Sequence, residues 1–335
     1  MNLKIYYSLD NILVKEIEDF LISSETLLNP LFSSPIWAIR LNEIIKFKFI
    51  YLIIRENNNI KAFQLVFQGY RGYQKIDKLP IYLKFFARLF AKIFFGYHVW
   101  FDSIVFSNNE LDQNKVIIKR LIYGELNKFS KLQKSPIWHD DIDFFPKRKL
   151  SIWGTYLIDM TAKSYEEVFE KFKRNAKRPI QNSISKGCYI RELTNLNINE
   201  YARWLEENQG VTGKSNLIDI QRIQYDLDIF KKPNYVYKVF IVYNKNIMLG
   251  SLSIWGFGNY IGEHGVYRSE YSKENKYFEQ DLLKDWIIRF ALQNNVHYFD
   301  LGGFNPNIHI SNKEDGIKNF KEKFGGERIM YENIC

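Results

Sequence analysis

The chain of 335 residues has only two cysteines, Cys188 and Cys335, and no Cys-x-x-Cys pair. That leaves no basis for a structural zinc site or a disulfide framework, and it fits a reducing, cytoplasmic setting. No apolar run reaches the ~20 continuous residues that a membrane-spanning helix needs. The opening stretch MNLKIYYSLDNILVKEIEDF alternates polar and apolar residues and carries acids, unlike a signal peptide. There is no Rossmann fingerprint, Walker loop or His-Glu-x-x-His motif. These absences predict a soluble or peripheral protein without a bound metal or cofactor.

What is present describes a globular chain. Hydrophobic residues make up 46% and charged residues 25%, the balance of a protein that builds a core. The length is comfortable for two domains. A formal charge of +9 favours polyanionic partners: RNA, nucleotide pyrophosphates or anionic lipid.

Two halves share a rhythm. In the first, IEDFLISS and SSPIWAIRLNEIIKF read as helices, and KFIYLIIRENNNIKAFQLVFQ reads as a hairpin turning at an Asn-rich tip. In the second, SYEEVFEKFKRNAKRPIQNSISKG and INEYARWLEENQG read as helices, and YVYKVFIVYNKNIMLGSLSIWGF as a hairpin turning at Asn-Lys-Asn. Val296–Leu301 reads as a strand broken by Gly302–Gly303, and Gly316–Phe324 as a helix ended by Gly325–Gly326. The order predicts an α+β protein of two similar units, 1–150 and 151–335, meeting near Pro146. One segment stands apart. KLPIYLKFFARLFAKIFFGY spaces Lys84, Arg88 and Lys92 four apart and fills the rest with Phe, Leu and Ile, a pattern for peripheral membrane contact through Pro80–Gly96.

Several motifs in this order resemble the FemABX family, aminoacyl-tRNA-dependent transferases that add amino acids to peptidoglycan precursors, and the wider FemAB-like N-acyltransferases. They are TYLIDM with the acidic-start helix and the Lys/Arg-rich helix that follow it, NIMLGSLSIWGFGNYIGEHGVYRSEY, LLKDWIIRFALQNNVHYFDLGG and GIKNFKEKFGG. The resemblance spans nearly the whole chain and is strongest from Ser151 onward. It implies tandem GNAT-like (acyl-CoA N-acyltransferase fold) domains, with mixed sheets flanked by helices. It also implies an aminoacyl-tRNA donor, a nucleotide- or lipid-linked envelope precursor as acceptor, and work in the cytoplasm or at the inner face of the membrane.

The resemblance also assigns roles to residues. Phe320–Lys321 would return a cation to the reacting centre, where an ammonium stabilises the oxyanion of ester aminolysis. Asp140, with Asp141 an equally good match, would face the acceptor amine. Arg40 would meet a nucleotide pyrophosphate, and Lys214 the precursor, as a point charge where the family has Arg. His264 and Asp300 would line the groove of the second domain. Lys173, Arg174, Lys177 and Arg178 would contact the phosphates of a tRNA acceptor stem.

A GNAT enzyme that uses acyl-CoA normally carries a Gly-x-Gly/Ala loop whose amides hold the pyrophosphate. The corresponding stretch, SEYSKENKYFEQDLLKDW, has no glycine. This disfavours an acyl-CoA donor. An acyl-CoA or acyl-carrier enzyme acting on an aminosugar, and an inactive module that binds RNA or membrane, remain the competing expectations.

Overall fold

The computed structural model describes residues 1–24, 29–45, 47–70, 79–94, 97–101, 103–128, 136–137, 150–208, 220–304, 306 and 312–334. The chain divides into two compact units, Met1–Trp153 with Met330–Cys335, and Gly154–Ile329.

The first unit contains β1 (Asn2–Tyr6), α1 (Asn11–Ser23), α2 (Pro35–Ile45), β2 (Lys48–Glu56) and β3 (Asn59–Tyr70). It continues with α3 (Ile81–Phe94), β4 (Tyr97–Phe101), β5 (Val105–Phe106), α4 (Asp112–Leu126) and the short β6 (Pro136–Ile137). α1 begins where Asp10 accepts a hydrogen bond from the Leu13 amide at 2.7 Å, satisfying one open amide of the first turn. β2 and β3 form the expected hairpin. Asn57 and Asn58 both take positive φ, 49° and 66°, the conformation of a tight turn that matches strand twist. The sheet runs β1-β2-β3-β4, with β5 also paired to β3. β2 is buried on both faces. Ile50, Leu52 and Ile54 pack with Ile118, Ile122 and Leu126 of α4, while Tyr51 meets Phe63 and donates to the Ser33 carbonyl at 3.1 Å.

β7 (Leu150–Asp159) leads into the second unit. There follow α5 (Tyr165–Glu170), α6 (Arg174–Ser185), β8 (Tyr189–Glu192), α7 (Ile198–Glu207), α8 (Ile220–Ile229), β9 (Tyr235–Asn244) and β10 (Ile247–Phe257). Then come β11 (Tyr260–Arg268), α9 (Glu270–Glu274), α10 (Glu279–Gln293), β12 (Tyr298–Phe304), α11 (Asn312–Glu322) and β13 (Glu327–Ile334). Within this unit the strand order is β7-β12-β11-β10-β9-β8. One face packs on α5, α6 and α10 through Val168, Ala176, Ile180, Leu283, Ile287 and Phe299. The other packs on α7 and α8 through Tyr201, Trp204, Leu227, Val239 and Ile241. A sheet covered on both faces explains why β9 and β10 read as nearly continuous apolar runs.

Three expectations need correction. The stretch 164–187, read from its pattern as helical throughout, is interrupted between the two helices that the resemblance implied. Phe172 turns into the core against Phe324, and the Lys173 amide donates to the Lys323 carbonyl at 2.8 Å, which breaks the helical ladder. Gly302–Gly303 does not end the strand after Leu301. It makes a register shift between Asp300 and Gly303, with Gly302 at φ 82°, and β12 continues to Phe304. The helix expected over Gly316–Phe324 spans Asn312–Glu322 and is followed by Gly325 at φ 75°.

Candidate active site

β11 and β12 run parallel and pair only across Tyr260–Gly262 and Tyr298–Asp300. Beyond that point β11 continues to Arg268 and β12 to Phe304 with no pairing between them among the described residues. Parallel strands that part company open a notch beside their carboxyl ends, a common place for a ligand in a mixed sheet. Charged side chains collect there.

Asp300 is the last residue of β12 paired to β11. Its Oδ1 accepts hydrogen bonds from the Thr155 hydroxyl and from the Gly302 amide at 2.7 Å, and its Oδ2 accepts one from the Tyr260 hydroxyl at 3.3 Å. Burial pushes the carboxyl up, and these three donors with the Lys321 charge only partly offset it. α11 brings Lys321 back to the same place, where Nζ donates to the Gly303 carbonyl at 2.9 Å. A Cβ on Gly302 would lie 3.3 Å from that Nζ, so glycine leaves room for the ammonium. Burial pulls the Lys321 pKa down, opposed by the charges of Glu263 and Asp300 and reinforced by Lys284.

A second layer lies behind. Lys284, 1% exposed, pairs with Glu263 at 2.5 Å. Burial pushes the Glu263 carboxyl up and the Lys284 ammonium down, each opposed by the other's charge. Lys323 pairs with the buried Asp281. Its Nζ lies 4.1 Å from the centre of the Phe320 ring, and Lys284 Nζ lies 5.7 Å from the same ring. Phe320 therefore sits between two paired cations and leaves Lys321 as the amine with a carbonyl partner at the notch. A partly desolvated ammonium within reach of carboxylate charges, held by α11 against the end of β12, can polarise a carbonyl and carry the charge that develops on its oxygen.

No protein-family model matches the sequence, and no curated protein matches it. Solved structures do. FemX superposes with a TM-score of 0.70 at 11% identity, covering 99% of this chain and 97% of FemX. The chain has the FemX fold. A tandem GNAT protein from the clavulanic acid biosynthesis pathway matches at a TM-score of 0.54 and 10% identity, over 99% and 98% of the two chains. L-PGS from Bacillus licheniformis matches at 0.52 and 10%, over 95% and 90%. The α+β, tandem GNAT-like class expected from the residues is thus the fold of this chain.

The other expected site residues fall in different places. Asp140, Asp141 and Lys214 lie outside the described residues. Arg40 is 1% exposed in the first unit, with its guanidinium 5.0 Å from the Trp37 ring centre. His264 is exposed and stacks on Trp255. It is the extra residue of a β-bulge, because Ser253 pairs with Gly265 and Ile254 with Glu263. Of the α6 cations, Arg174 and Arg178 are exposed. Lys173 lies 3.8 Å from Glu322 and Lys177 3.5 Å from Glu170. The sequence reading missed Glu263, Lys284, Thr155 and Tyr260. Lys284 carried a signal, since it precedes Ile287 and Ile288 by three and four residues and so shares the apolar face of its helix.

Proposed function

We propose that the chain is a FemAB-like transferase that moves an aminoacyl group from aminoacyl-tRNA to the amine of a peptidoglycan or other cell-envelope precursor. The observation that carries this reading is Lys321 at the β11–β12 notch, held on the Gly303 carbonyl within reach of the Asp300 and Glu263 charges, in a chain with the FemX fold over its whole length. In the reaction the acceptor amine attacks the ester carbonyl, the carbonyl oxygen takes the negative charge, and the Lys321 ammonium stabilises it. The carbon–oxygen bond to the ribose then breaks, the ribose oxygen takes up a proton, and the amine gives one up. Asp140 is the group proposed to orient that amine. Lys214 keeps its proposed role toward the precursor, and His264 and Asp300 theirs along the groove, whereas Arg40, 1% exposed, would have to be uncovered before it could meet a pyrophosphate. No bound cofactor is required. No helix among the described residues is long and apolar enough to cross a membrane. A cytoplasmic site of action is proposed because charged tRNA is found there.

The start of α10 argues against an acyl-CoA donor. In the acyl-CoA pattern, this helix N-terminus binds the pyrophosphate. Here its first turn carries Glu279 and Asp281, both buried; Glu279 accepts from the Ser272 hydroxyl and lies 3.3 Å from Arg268. The positive end of the helix already holds two carboxylates of its own, and a pyrophosphate would meet like charge. The test offers the protein charged tRNA pools and, separately, acyl-CoAs, and follows label into extracted envelope precursors. Label should arrive from aminoacyl-tRNA. Transfer from acyl-CoA alone would replace the donor, and transfer from neither would leave a binding module.

A further inference from the structure

Six large side chains among the described residues of α3 face outward. Tyr82 and Phe85 are each 68% exposed, Phe86 65%, Phe90 53%, Leu89 46% and Leu83 43%, while Lys84 and Ala87 are half-buried. At ~100° per residue these six side chains form one continuous arc of roughly 160°, and Lys84 and Ala87 fall outside it. A surface helix ordinarily puts its apolar stripe inward. This one does the reverse, and a contiguous apolar face of this kind marks a surface that something covers.

Charge selects the occupant. Leu79–Phe94 contains Lys84, Arg88 and Lys92 at four-residue spacing and no acidic residue. We propose that α3 lies in the headgroup region of an anionic bilayer, its aromatic arc in the acyl boundary and the positive charge of the segment drawn to lipid phosphates. A second copy of the chain suits the face less well, because a two-fold contact through α3 would set the same three cations against themselves. An anionic bilayer supplies the missing negative charge and accepts the apolar arc. The inference rests on α3 alone and does not require the transfer reaction.

The test uses the full chain with phosphatidylcholine vesicles, with and without phosphatidylglycerol. Co-sedimentation should require phosphatidylglycerol and should weaken as salt rises. The double substitution Phe85→Ser, Phe86→Ser should lower partitioning more than ~10-fold, since each ring would enter an apolar environment. Its circular dichroism and melting should match the parent, because both rings are already in water. Replacing Arg88 or Lys92 by Gln should cost about fivefold each, and Lys84→Gln, on the half-buried side away from the arc, should cost less. Equal binding to neutral vesicles, or no loss in the double variant, overturns the proposal. So does a dimer that dissolves in the double variant while the parent ignores lipid, since that result assigns the face to a second copy.

Discussion

At Lys321 burial and charge act against each other, and the balance makes the residue testable. Burial favours the neutral amine, whereas the charges of Glu263 and Asp300 favour the ammonium. If the ammonium carries the oxyanion, Lys321→Ala should lower kcat by ~10²–10³ and leave the acceptor KM nearly unchanged, the scale of losing one such donor. Lys318→Ala, on the same helix, should stay within a few-fold of the parent. Lys323 does not serve as a second control, because it is buried against Asp281 and Phe320. The rate should fall as pH rises through the depressed Lys321 pKa. Glu263→Gln removes a charge that holds the proton on Lys321, so this falling limb should move to lower pH. An unmoved limb would separate Glu263 from the chemistry. The return of Lys321 to the strand that carries Asp300 was legible in the sequence, because Phe-Lys follows the Asp-Leu-Gly-Gly strand at the spacing of the resemblance. Glu263 was not. The bulge at His264 resets the alternation of β11, and nothing local in GEHGVY says which of the two neighbours points inward.

At the scale of elements, two glycines near the C-terminus should respond oppositely to the same change. Gly316 lies within α11, and an added Cβ there meets nothing within 4 Å. Gly316→Ala should stabilise by ~0.5–1 kcal/mol, the helix-interior difference between the two residues. Gly325 has φ 75°, and its Cβ would stand 2.7 Å from Lys171 Cβ and 2.9 Å from the Lys171 carbonyl oxygen. Gly325→Ala should cost at least ~1–3 kcal/mol, the range for a non-glycine residue held in such a conformation, with the backbone clash adding to it. Urea unfolding of both variants measures the pair, and a shift of the same sign in both would remove the conformational account. Boundaries set by local chemistry were readable, such as the Asn57–Asn58 turn and the break after Gly325. The position of the break between α5 and α6 was not, because its cause, the Lys323 carbonyl, lies some 150 residues along the chain. Likewise, Gly302–Gly303 signalled irregular backbone correctly, but only the pairing of β12 with β7 decides that the result is a bulge and not a strand end.

For the whole molecule, the order of elements carried the fold class. Helices, a hairpin, then strand, helix and strand fix which elements can neighbour one another in a sheet, even when no short motif is specific. Net charge is harder to interpret. The excess of +9 says that a polyanion is welcome and not where it binds. The structure narrows this by separating cations already engaged from those facing water. On α6, Lys173 and Lys177 lie near Glu322 and Glu170, so part of their charge is already neutralised within the chain. Arg174 and Arg178, one turn apart and exposed, form no ion pair among the described residues. If α6 meets a tRNA acceptor stem, the two arginines should carry more of the counterion release than the two lysines. Each phosphate contact adds ~0.9 to the steepness of log K against log salt, so Arg174→Ala with Arg178→Ala should flatten the slope by about 2. Lys173→Ala with Lys177→Ala should flatten it less, since removing either lysine also frees an acid that repels phosphate. Titrations of labelled tRNA at several salt concentrations give both slopes. A slope untouched by the arginine pair would take α6 out of the contact and leave the excess charge to other surfaces, α3 among them.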